Sequence, residues 1–206
     1  MLPACLLAIV AGYADTIGYL RYDAFAGLMT GNTILLGIDV ANSNLQSAAF
    51  HAGIIVVFLA GVIASRVLLQ LGCAPWLALT LAAILLVVCS FLGRFWAAML
   101  LAFAMGMQNS AANRFNGVAL NTVFITGNLQ KLGEGLTHWL WRVGGRPVEK
   151  SEGVAIFAFV WITYAGGAGL GAFAETLLRW PLLLPAALLP LVMMQGHALS
   201  QWTGRR

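Results

Sequence analysis

Asp15 is the residue whose type and setting point most directly to chemistry. It ends the apolar run MLPACLLAIVAGYAD. A carboxylate within a membrane costs about 2.5–3.5 kcal/mol on insertion scales, so such groups usually face the protein interior and carry a task. An acid there binds a cation, carries a proton or holds a polar group of a solute. The structural alternative is a carboxylate near a helix end that reaches water or a partner such as Arg21. Two further groups share this potential. Thr30, Gly31 and Asn32 form a TGN triplet that returns as Thr126, Gly127 and Asn128, and Gln108 with Asn109 adds hydrogen-bonding capacity. Threonine and asparagine can cap a helix start, and glycine admits backbone geometry that other residues resist. The free N–H groups of a half-helix start suit anions or polar oxygens. The two TGN segments therefore either line a site for a small polar or anionic solute or serve only as caps that let a short segment turn.

These residues recur in order. Leu36 and Gly37 return as Leu132 and Gly133, at the same shift of 96 as the triplet, while Ala8, Gly12 and Asp15 correspond to Ala102, Gly106 and Asn109 at a shift of 94. A two-residue insertion accounts for the difference, and the ordered blocks indicate an internal duplication. The acid is kept once, since its counterpart Asn109 is neutral. Ala8, Ala11, Gly12, Asp15 and Tyr19 fall at helical spacing on one face, as do Ala102, Gly106, Asn109 and Asn113. Stripes of small and polar residues let helix backbones approach closely and bond across the contact. The same stripes would line a cavity if one lies between the helices.

The elements that must position them are membrane helices. Hydrophobic residues make up 61% of the chain and charged residues 9%, against about a quarter charged in an ordinary soluble domain. The formal charge of +4 is spread without a basic run, which gives no sign of nucleic-acid binding. Cys5, Cys73 and Cys89 are odd in number and far apart, so they form neither a disulfide framework nor a zinc site. Stretches of about 20 apolar residues place spans at Leu2–Leu20, Ala48–Leu71, Pro75–Leu92, Phe95–Ala112, Val154–Ala174 and Trp180–His197. Tyr22–Val40 and Asn113–Gly135 are glycine-broken segments, and His138–Gly153 is the one sizeable polar loop.

The expectation is an all-α membrane protein with about six transmembrane helices in one integral membrane domain, residues 1–206. Repeat one covers about 1–93 and repeat two about 94–200. Each repeat reads as helix, broken segment, helix, helix. If the TGN segments are re-entrant, the halves face opposite ways as an inverted repeat; if they cross, the halves are parallel. Charge placement favours re-entry. Six crossings put Arg66, Arg114, Lys131, Arg142, Arg146, Lys150, Arg205 and Arg206 on one side and only Arg21, Arg94 and Arg179 on the other. The positive-inside rule then places both termini in the cytoplasm.

Weaker signals include Glu134 and His138 on one helical face, too few ligands for a metal, and Glu175 with Arg179 at ion-pair spacing. Gly167 and Gly171, with Gly61 and Ser65, fit close helix packing. Trp139 and Trp141 beside Arg142 read as an interfacial anchor. No phosphate loop, nucleophile elbow or zinc-binding HExxH occurs, and the acid and histidines form no recognisable catalytic set. No enzymatic activity, cofactor or metal is expected.

AGYAD at Ala11–Asp15, MTGNT at Met29–Thr33, GMQN at Gly106–Asn109 and TGN at Thr126–Asn128 resemble the YoaK-like bacterial membrane proteins, a family of unknown function. The resemblance implies a multi-pass protein of the bacterial inner membrane and brings no substrate. The expected function is a small secondary transporter or permease, with Asp15 as the coupling or binding group. The alternative is a non-transporting assembly or regulatory module that packs through its glycine-rich faces. Beyond the lipid bilayer and an unidentified small solute, a homodimer is the expected partner, because short bundles often need a second copy to enclose a path.

Overall fold

The computed structural model describes residues 2–111, 114–115, 118–119, 125–143 and 154–194. Among the described residues the regular elements are helices, apart from one antiparallel pairing of β1 (Arg114–Phe115) with β2 (Val118–Ala119). The helices are α1 (Leu2–Tyr22), α2 (Met29–Ala41), α3 (Leu45–Gln70), α4 (Pro75–Cys89), α5 (Arg94–Ala111), α6 (Ile125–Val143), α7 (Val154–Leu177) and α8 (Leu183–Met194). Among the described residues, α1, α3 and α7 are long and apolar enough to cross a membrane, while α4 and the Leu183–Val192 part of α8 are shorter apolar helices. Val56, Leu59 and Ile63 on α3 and Leu170, Phe173 and Leu177 on α7 are exposed. Such apolar faces suit contact with lipid chains.

Boundaries differ from the sequence expectation where polarity misleads. The polar stretch from His138 begins as helix, because α6 continues to Val143; the rest of that loop lies outside the described residues, as do Asn113, His197 and the basic tail. The last span starts at Leu183 rather than Trp180, with Pro181 in the turn before it.

Helix contacts fix the directions of the chain. Gly167 lies against Ile9, Gly171 against Tyr13, and Glu175 against Arg21, so α7 runs parallel to α1. Gly53 lies against Met99 and Gly61 against Phe103, so α3 runs parallel to α5. The start of α5 meets the end of α1 through Arg94 and Asp23, while Gln108 near the end of α5 bonds Leu7 near the start of α1. These two helices are therefore antiparallel.

The close approaches come in matched pairs. A Cβ at Gly12 would collide with the Tyr164 carbonyl oxygen, and one at Gly106 with the Phe58 carbonyl oxygen. A Cβ at Gly167 would collide with the Ile9 carbonyl oxygen, and one at Gly61 with the Phe103 carbonyl oxygen. Gly12 and Gly106 are 94 positions apart, as are Ile9 and Phe103, while Phe58 and Tyr164 are 106 apart, as are Gly61 and Gly167. In each pair only glycine allows the backbones to touch.

Candidate polar site at the start of the first short helix

The site is built by a chain reversal. Asp23 takes φ 57, a left-handed conformation that an aspartate tolerates better than most residues and that ends α1. The chain then folds back along α1. A Cβ at Gly18 would meet the Ala24 carbonyl oxygen and the Ala26 nitrogen, so its absence makes room for the returning strand of chain. Phe25 stacks on Tyr19 with ring centroids 4.9 Å apart. By Gly27 and Leu28 the chain has come back to the level of Asp15, about two turns before the end of α1. There α2 begins.

Asp15 holds that beginning. Its Oδ1 accepts the Gly27 N–H at 2.6 Å and the Leu28 N–H at 3.0 Å, and its Oδ2 accepts the Tyr164 hydroxyl from α7 at 2.7 Å. Leu28, the N-cap residue of α2, contributes no side-chain bond. A carboxylate from another helix therefore satisfies amides near a helix start, and its charge is favourable at the positive end of the α2 dipole. The residue is 3% exposed.

Asn32 fixes the reversal from the other side. Its Oδ1 accepts the Phe25 N–H at 2.9 Å and its Nδ2 donates to the Phe25 carbonyl at 2.8 Å. Thr30 is exposed and Gly31 half-buried against Phe25. The asparagine of the first TGN triplet is thus a clamp on the residues before the helix, and the threonine is no cap. The triplets occupy the same place in their helices, one residue after the first residue of α2 and of α6. Burial matches too: Asn128 is buried, while Thr126 and Gly127 are exposed.

The sequence candidates do not all meet at one point. Asp15, Asn32 and the start of α2 come together. Gln108 is fully buried elsewhere, where its Nε2 donates to the Leu7 carbonyl at 3.0 Å and its Oε1 has no partner among the described residues. Asn109 is half-buried on the same helix end; residues 120–124, which precede α6, lie outside the described residues. Tyr164 was not singled out by sequence reasoning, because a tyrosine in an apolar helix is an ordinary aromatic.

Other expectations change partner. Glu175 bonds Arg21 Nε at 2.5 and 2.7 Å instead of pairing with Arg179, so Arg21 is engaged by α7 rather than by Asp15. The Arg179 guanidinium lies over the Trp180 ring at 4.9 Å. Glu134 accepts from Gln130 at 2.9 Å rather than from His138, and His138 Nδ1 is buried without a partner among the described residues. Trp141 is exposed. Cys5, Cys73 and Cys89 are free thiols, and the described residues hold no group of three metal-ligating side chains.

A second polar cluster lies where α1 and α2 both end. His51 near the start of α3 bonds Asp39 of α2 and the Asp23 carbonyl, and the Asp23 carboxylate pairs with Arg94. The Ser47 side chain foremost, with His51 adding to it, holds the Asp39 carboxyl below the usual carboxylate range. This cluster also escaped the sequence reading.

Residues 3–195 match the family described as a protein of unknown function, DUF1275. The chain is also similar to the UPF0700 transmembrane protein YoaK of Bacillus subtilis (strain 168), which is 29% identical over 185 residues, covering 82% of this chain and 81% of that one. No solved structure gives a significant match. The match bears out the resemblance carried by the AGYAD, MTGNT, GMQN and TGN motifs.

Proposed function

We propose, from the premise that this chain belongs to the DUF1275 family of membrane proteins, that it is a secondary transporter of a small polar or anionic solute, built as an inverted repeat. The observation that carries this is the start of α2, which lies inside the bundle at the level of Asp15. Helix ends at membrane depth are tolerated where they are buried in protein or line a wet cavity, and transporters of this construction bind solute there. The matched approaches of Gly12 and Gly106, and of Gly167 and Gly61, support a twofold relation between the halves. The antiparallel course of α1 and α5 supports its inverted sense.

Re-entry of α2 is supported by its two ends. It starts beside Asp15 and finishes where Asp39 and Asp23 converge on His51, so it returns to the end of the bundle that α1 has just reached. Arg21, Arg94 and Arg179 gather at that end. With the positive-inside rule this is the outer face, and both termini are cytoplasmic in a bacterial inner membrane.

The asymmetry between the halves supports a solute position in the second. In the first half Asp15 neutralises the positive end of α2. In the second, the equivalent position is Asn109, which carries no charge. The α6 start, with Asn128 buried behind it, is then the one able to receive an anionic or polar oxygen of a solute. Asp15 and Tyr164 set the position of α2, and Gln108, with a buried oxygen left over, extends the polar path.

A thermal-shift screen of the purified protein across metabolites and ions tests this, with Asp15→Asn and Asn128→Ala alongside. A ligand at 100 times its dissociation constant stabilises by about 2.7 kcal/mol. A stabilising anion whose effect is lost in Asn128→Ala supports the assignment; stabilisation by none of the panel counts against transport.

A second reading is an assembly module. Gly166 and Gly169 on α7 meet nothing within 4 Å, and a small-residue face exposed to lipid favours contact with another helix. A second copy of the chain is the occupant we favour. Cross-linking in native membranes that traps only monomer would remove it.

A further inference from the structure

We propose that His51 and Asp39 form a proton-binding site, which holds one proton more than a neutral imidazole beside a carboxylate and thereby ties the outer end of α2 to α3. The geometry points to this because both ring nitrogens face acceptors. His51 Nε2 is 2.9 Å from the Asp23 carbonyl oxygen, and Nδ1 is 2.7 Å from Asp39 Oδ2. A backbone carbonyl only accepts, so Nε2 carries hydrogen. A neutral imidazole has a single N–H. Its Nδ1 lone pair would then point at a carboxylate oxygen at hydrogen-bond distance, which repels. One additional proton between Nδ1 and Oδ2 removes that conflict and leaves every atom satisfied.

The proton belongs on the ring. The Ser47 side chain, with His51 adding to it, holds the Asp39 carboxyl below the ordinary range. The pair is therefore an imidazolium beside a carboxylate, a charge-assisted bond stronger than a neutral one. His51 itself is 4% exposed, which makes an unbalanced charge there costly and a paired one tolerable.

Protons have a route. His51 lines a cavity of about 950 Å³ together with Tyr22, Ser47, Arg94, Phe95 and Trp96. Of the charged and titratable groups around the ring, Asp39 from α2 touches it, while Tyr22 from α1, Asp23 from the turn after α1 and Arg94 from α5 line the same cavity. Arg94 opposes a positive ring, but its guanidinium is paired with the Asp23 carboxylate. Asp39 is the group in direct contact, and its sign favours the bound proton.

The consequence is mechanical. α2 is held at its start by Asp15 and near its end by His51. Release of the proton turns the second tie into a repulsion, while the first stays. A proton arriving from the cavity thus sets whether the outer half of α2 is locked against α3. This holds whether or not the chain transports a solute.

The test is nitrogen-15 NMR of the full-length protein, labelled at histidine and reconstituted in lipid nanodiscs. His51→Gln assigns the signals; should that variant fail to fold, replacing His138 and His197 leaves His51 as the sole histidine. At neutral pH the His51 ring is expected to show both nitrogens protonated, and to convert to a single N–H as the pH is raised. Asp39→Asn is expected to weaken proton affinity about ten-fold or more, the scale of losing an adjacent opposite charge. A His51 ring with one bare nitrogen at neutral pH would overturn the proposal. So would a titration unchanged in Asp39→Asn. If that variant does not fold, the unmodified protein's spectrum decides alone.

Discussion

The Tyr164 hydroxyl donates to Asp15 at 2.7 Å across 149 positions of sequence, and so fixes the start of α2 to α7. Removing it with Tyr164→Phe leaves Oδ2 of a buried carboxylate without its donor. Loss of one partner from a buried acceptor costs about 1–3 kcal/mol. Melting of the detergent-purified variant should fall accordingly, while Tyr19→Phe, on the other side of the reversal, should change little. An unaltered melting temperature for Tyr164→Phe would show that Asp15 finds another donor.

Asn32→Ala removes both bonds to Phe25. Asn32 itself is fully buried, so water reaches these bonds poorly. A cost of about 2 kcal/mol follows from two net hydrogen bonds at roughly 1 kcal/mol each. Protease sensitivity between Ala24 and Leu28 should rise with it. Thr30→Ala, at an exposed position of the same triplet, should leave both readouts unchanged.

The matched glycines predict matched losses. Gly12→Ala and Gly106→Ala each force a helix away from a carbonyl oxygen, and overpacking of this kind costs about 1–3 kcal/mol. Gly37→Ala is the control, because nothing lies within 4 Å of a Cβ there; alanine in an exposed helix position should be neutral or stabilising by up to about 1 kcal/mol. Unequal losses at Gly12 and Gly106 would argue against equivalent packing in the two halves.

Acid should loosen the C-terminal end of α2. The Asp39 carboxyl is held below its ordinary range in the folded protein. Its contribution is therefore complete above the unfolded value of about 3.9 and is lost as the pH falls through the lower folded value. Hydrogen exchange of the α2 amides near Asp39 should accelerate below that point in the unmodified protein, and the acid effect should be absent in Asp39→Asn.

Much of this was legible in the sequence, and the reasons are particular. Gly12, Gly61, Gly106 and Gly167 announced themselves because close backbone contact leaves glycine as the sole solution, which repeats wherever the contact repeats. Asp15 stood out because an acid in an apolar run has few alternatives to a buried partner. Its partners did not, since two are backbone amides and the third, Tyr164, is an ordinary aromatic in an apolar helix. The His51 cluster escaped for a different reason: Asp23, Asp39, His51 and Arg94 come together only through the reversal after Asp23, which no periodicity reveals. The helical start of the polar loop, from His138 to Val143, was hidden because polarity on an amphipathic helix resembles polarity in a loop.

Whether α2 re-enters or crosses decides the topology of the chain, and sided cysteine labelling separates the two. Cys73 lies in the turn between α3 and α4, and Ser43 in the turn between α2 and α3. Two single-cysteine variants, one keeping Cys73 and one carrying Ser43→Cys in a chain otherwise free of cysteine, would be exposed to a membrane-impermeant maleimide in intact cells. Re-entry of α2 predicts labelling at position 43 from outside, with Cys73 reacting only after permeabilisation. Labelling of Cys73 from outside, with position 43 protected, would mean that α2 crosses the membrane and would contradict it.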